Sequence, residues 1–139
     1  MKMRIWVPLL AFCALTFAQS VPPRVSSELD TAKVFALGPV GVAGSISQEE
    51  LQFKAILALD PDKAKQKLER LYANGNPQAM SYALAGMRKL DRKRFAELLL
   101  SARVSDLTVE TMSGCIGEEQ KLSVVAADLN LGKYDIWLR

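Results

Sequence analysis

Apolar positions recur at helical spacing through most of the chain beyond residue 46, most densely over Asn76–Leu90. There Met80, Ala83, Leu84, Met87 and Leu90 return every three or four residues, and Ala79, Ala83 and Gly86 form a small-residue face beside them. Asn76 is placed as N-cap and Pro77 as first helical residue. A helix apolar round most of its circumference is normally touched by neighbours on several sides. The pattern therefore predicts a mainly α fold, with short antiparallel helical hairpins around a central helix at 77–90.

The flanking stretches fit that scheme. Ser47 with Glu50 makes a capping box, and Ile46 with Leu51 a hydrophobic staple, so a helix is expected from about Ser47 to Leu59 with Leu51, Ala55, Ile56 and Leu59 inward. Asp60-Pro61 stops it and opens an amphipathic helix whose Ala64, Leu68, Leu71 and Tyr72 share a face; Asn74-Gly75 ends it in the left-handed cap glycine tolerates. Asp91 caps a helix over Arg92–Ala102 with Phe95, Leu98, Leu99 and Ala102 on one side. Candidate caps at Asp60, Asn76, Asp91 and Asp106 stand fifteen or sixteen residues apart, the period of a helical-hairpin repeat.

Two stretches break the helical pattern. In Ala32–Gly44, Gly38, Pro39, Gly41 and Gly44 exclude a helix, leaving a short strand or extended segment over Lys33–Leu37 and a glycine-rich loop packed on the helices. Thr108–Ile116, rich in β-branched residues, predicts an extended or irregular connection. Helical spacing resumes over Glu118–Asn130 with Leu122, Val125, Ala126 and Leu129 inward and Gly132 as C-cap, and the apolar tail around Tyr134, Ile136, Trp137 and Leu138 is expected to dock.

The first twenty residues change what is counted as core. Lys2 and Arg4 precede the apolar run Ile5–Phe17, and small residues precede possible cuts, as in a secretory signal peptide. A membrane span needs about 20 apolar residues, and this run is shorter. The expected organisation is a signal peptide at 1–20, a disordered leader at 21–31 and a single helical domain at 32–139. The product is expected to be exported, periplasmic or extracellular in a bacterium, meeting the membrane only through the uncleaved leader. Phe12 before Cys13 argues against a lipoprotein signal. Loss of the leader also leaves Cys115 as the one cysteine, with no intrachain disulfide. It brings the formal charge of +3 down to +1, which gives no reason to expect nucleic acid as partner.

Asp60-Pro61, Asn76-Pro77, Ala83-Leu84-Ala85-Gly86-Met87, Leu90-Asp91 and Phe95 carry a resemblance to the HEAT and armadillo-like class of α-solenoids, over about forty residues. That resemblance implies a protein- or peptide-binding scaffold. The wider pattern, FALGPVGVAG, NPQAMSYALAGMRKLD, TMSGCI and GKYD, is similar to small exported bacterial proteins of uncharacterised function, which implies export and no particular activity.

Candidate chemistry is sparse. With no histidine, Ser-His-Asp and Cys-His arrangements are excluded, and so is the commonest zinc ligand. No catalytic, cofactor-binding or metal-ligating residue is assigned. Gly38, Gly41 and Gly44 match neither a dinucleotide fingerprint nor a P-loop and are taken as turn and packing residues. Cys115 is either a small buried apolar residue, a redox-sensing or intermolecular-disulfide thiol, or a nucleophile, with Ser113 or Tyr82 assisting. Arg88, Lys89, Arg92, Lys93 and Arg94 form a basic cluster that suits the end of the central helix, an acidic partner patch or an anionic lipid surface. The leading expectation is an exported, non-enzymatic helical module that binds an unknown protein or peptide. The alternatives are a small thiol-dependent protein using Cys115 and a structural envelope accessory.

Overall fold

A computed structural model describes residues 28–139. The signal peptide expected at 1–20, Cys13 and residues 21–27 of the leader lie outside the described residues. Five helices and one antiparallel strand pair follow a 3-10 turn at Glu28–Thr31: α1 (Gln48–Leu57), α2 (Pro61–Asn74), α3 (Pro77–Leu90), α4 (Arg92–Ala102), β1 (Thr108–Ser113), β2 (Ile116–Lys121) and α5 (Leu122–Asn130). Leu29 of that turn is in the core, so the end of the expected leader belongs to the folded domain.

Four helices start where a side chain satisfies an otherwise orphaned amide. Ser47 accepts from the Glu50 N–H, Asp60 from Asp62, Asn76 from Ala79 and Asp91 from Arg94. Helix α3 is the hub: Gln78, Ala79 and every residue from Ser81 to Arg88 are buried. It contacts α1, α2, α4, α5, β1 and the N-terminal turn. Gly86 lets α2 and α1 close on it, since a Cβ there would lie 2.6 Å from a Leu68 methyl and 3.2 Å from the Phe53 ring. In a solenoid each repeat touches only its sequence neighbours. Here elements from both ends of the chain converge on one rod, and stacking of successive hairpins is not seen among the described residues.

Several expectations need correction. Helix α1 turns Phe53, Ile56 and Glu50 inward, whereas Leu51, Ala55 and Leu59 are exposed. Ile46 is exposed too, leaving the expected staple at the surface. The capping box is half made, because the Glu50 carboxylate leaves Ser47 and accepts from the Gly38 N–H at 2.8 Å. Gly75 ends α2 with φ −79°, not in the left-handed region. Its role is close approach: an added Cβ would lie 2.5 Å from both the Leu71 carbonyl oxygen and the Ala79 Cβ. Asp106 caps no helix and instead pairs with Lys121.

Residues 118–121, expected in the last helix, form strand β2, and α5 begins only at Leu122. The connecting turn has two residues, Gly114 and Cys115, with φ +57° at the glycine. Positive φ at the first central position alone is the sign pattern of a type II′ turn. On the other side of β1, Phe35 donates to the Glu110 carbonyl and accepts from the Met112 N–H. The segment around Phe35 thus lies against a strand, and the tip of the glycine loop reaches the hairpin turn through Gly41 N–H to Gly114 O, facing solvent and not packed on the helices.

Candidate functional site

The basic cluster at the α3–α4 junction is largely committed to the fold. Arg88 is buried along α3 and grips Asp135 of the C-terminal segment through two hydrogen bonds of 2.7 and 2.8 Å. Its guanidinium also donates to the Asn130 carbonyl and sits over the Phe95 ring at 5.8 Å. Lys89 donates to the Leu138 carbonyl. Arg94 makes a two-pronged pair with Glu69 of α2 and a third bond to Glu97. These pairings hold the Asp135 and Glu69 carboxyls below their ordinary pKa, with the arginine hydrogen bond as main cause. Lys89, Arg92 and Lys93 are the exposed members, and of these Lys89 is already bonded to the Leu138 carbonyl. With Arg88, Lys89, Asp135 and Leu138, Arg92 lines an open groove of about 210 Å³. Asp135 already answers the buried cation in that groove, which leaves little unsatisfied charge for a ligand.

Cys115 stands exposed at the hairpin turn, contrary to the reading of a small buried residue. Tyr82 cannot assist it. That ring is fully enclosed between Phe35 and Phe53, and its hydroxyl donates to the Ala36 carbonyl at 2.9 Å and accepts from the Ala36 N–H at 3.0 Å. Burial pushes the Tyr82 pKa up to about 12, so the hydroxyl stays protonated as an internal strut. Glu50, the other buried polar anchor, bonds Gly38 and pairs with Lys54 at 2.7 Å. Sequence pattern missed it because an acid in a first helical turn is ordinarily a solvated dipole partner.

The hairpin presents an arrangement that residue types alone do not show. Because Glu110 O and Met112 N–H are bonded to Phe35, those two residues face away from β2. Antiparallel pairs alternate, so β2 bonds β1 through Ile116, Glu118 and Gln120, and the N–H and C=O groups of Gly117 and Glu119 point off the sheet. Gly117 and Glu119 are exposed, and these backbone groups have no protein partner among the described residues. Glu110 is directly opposite Glu119, in the pair geometry that brings side chains closest. A hydrogen bond between the two carboxyls, aided by burial and like-charge repulsion, holds the Glu110 pKa above its ordinary value.

Among the described residues, no group of three or more His, Cys, Asp or Glu side chains is placed to hold a metal ion. No described helix is long and apolar enough to cross a membrane. Compared with protein-family models, with curated proteins and with solved structures, the chain matches none.

Proposed function

We propose that the chain is an exported, non-enzymatic helical module that binds another protein or an extended peptide, with the hairpin as its contact surface. The observation that carries this is the open edge of β2, where the backbone groups of Gly117 and Glu119 are held in strand geometry without partners. An unpaired edge is a template for another chain, and strand addition is a recurrent mode of peptide recognition. Exposed Ile116, in β2 itself, adds apolar surface beside that edge. The basic cluster is the lesser support, since Arg88, Lys89 and Arg94 are bonded within the fold and only Arg92 and Lys93 are exposed without such a bond among the described residues.

Photo-crosslinkers placed at residues 119, 100 and 92 of the folded protein test this reading in an envelope extract. A discrete product from position 119 is expected, and no product from any of the three contradicts it. A second reading, a thiol-dependent protein, is favoured by the exposure of Cys115. It requires reversible oxidation of that thiol at a rate well above that of a free cysteine peptide.

A further inference from the structure

We infer that the edge of β2 accepts an antiparallel strand from a partner protein in which a lysine or arginine lies opposite Glu119 and an apolar side chain lies two residues later, opposite Gly117. This rests on the binding reading above and adds the chemistry of the occupant. In an antiparallel addition, a residue opposite Glu119 exchanges both backbone hydrogen bonds with it, and the residue opposite Gly117 does the same. Glu110, Glu119 and the incoming residue then form one row across the exposed face.

That row already holds two carboxyls side by side with no cation bonded to either. Lys121, the nearest base on the strand, is paired at 3.0 Å with Asp106. Like charges directly opposite one another destabilise a sheet, and an opposite charge in the same row reverses the sign. The next row holds Met112 and Gly117. A Cβ built on Gly117 comes no closer than 3.9 Å to any neighbouring atom, the Thr111 carbonyl, so the space over the glycine is open for a larger incoming side chain.

A second copy of the chain is the poorer occupant. Of the two symmetric registers that engage both Gly117 and Glu119, one sets Glu119 against its own copy and the other sets Glu118 against its own copy. Charges on an edge strand are a common device against this kind of self-pairing.

Two acetylated and amidated threonine hexapeptides provide the probe. One carries Lys at its third position and Val at its fifth; its twin carries Glu in place of the Lys. Each is titrated into the whole mature chain and followed by amide chemical shifts. The lysine peptide is expected to move and protect the amides of Gly117 and Glu119 and to bind about five- to tenfold more tightly than its twin. Glu119→Lys is expected to reverse that preference, and Gly117→Pro, which removes an outward N–H and leaves the β1 ladder whole, to abolish binding. Equal affinity for the two peptides, or shifts confined to other surfaces, overturns the inference. A crosslinked partner that Gly117→Pro still captures, from positions 100 or 92, overturns it while the broader binding reading stands. No crosslinked partner alongside selective lysine-peptide binding does the reverse.

Discussion

Arg88 and Asp135, 47 residues apart, meet through two parallel hydrogen bonds, and this contact ties the C-terminal segment to the central helix. The guanidinium is enclosed while half the carboxylate remains in water, so the arginine depends on its partner more than the reverse. Removing one partner of a buried pair leaves an uncompensated charge. Asp135→Ala is therefore expected to lower the melting midpoint by several degrees and to expose the tail to proteolysis. An exposed control, Asp62→Ala, is expected to do neither.

Acid should act through the same pairs. Asp135 and Glu69 have depressed pKa values in the folded state, so their stabilisation is complete above the ordinary values of 3.8 and 4.5. It is lost as pH falls through the lower, folded-state values. Glu110 has the opposite sign: its raised pKa makes the hairpin less stable above that value and relieves it as pH falls. Urea unfolding across pH is expected to show a shallow gain on mild acidification and then a steep loss. Glu119→Gln should remove the gain and keep the loss.

Core packing sets the larger costs. Leu84→Ala empties space at the centre of α3 and is expected to cost about 2–5 kcal/mol, whereas exposed Lys67→Ala should fall within about 0.5 kcal/mol. Both are read from equilibrium denaturation.

Gly75→Ala sets two effects against each other. The glycine's φ of −79° suits alanine, and reduced freedom in the unfolded chain would favour the change by about 0.4–1 kcal/mol. The added methyl, however, meets the Leu71 carbonyl oxygen at 2.5 Å, and that oxygen already accepts the Gly75 N–H. A rigid backbone acceptor cannot give way as a side-chain tip can, so a net loss of about 1–3 kcal/mol is expected.

Cys115 should label in the native protein about as fast as in the unfolded chain, because nothing covers it at the turn. Slow labelling would place the hairpin tip against something else. Cys115→Ser should leave the melting midpoint unchanged.

Local rules made the helical half of the fold legible. The side chains of Ser47, Asp60, Asn76 and Asp91 cap as their types predict, and Phe95, Leu98, Leu99 and Ala102 line the buried face of α4. Periodicity failed where a tertiary partner decides. In α1 the apolar count favours Leu51 and Leu59, yet the bond from Gly38 to Glu50 draws the other face inward. Glu118–Gln120 have helical composition but lie in a strand because the Gly114-Cys115 turn folds them onto β1. The basic cluster is clear as a run of letters. Its commitment to Asp135, Leu138 and Glu69 is not, since all three partners lie far away in sequence. The open edge of β2 was invisible for the same reason: it depends on Phe35 taking the opposite edge of β1.

Residue-by-residue hydrogen exchange on the native protein tests the central claim most directly, that a buried rod at 77–90 supports a hairpin with one free edge. The amides from Ala83 to Met87 are expected to exchange slowest in the chain, and those of Gly117 and Glu119 at nearly the rate of an unstructured peptide. Rapid exchange within α3, or strong protection at Gly117 and Glu119 in the isolated protein, would contradict it.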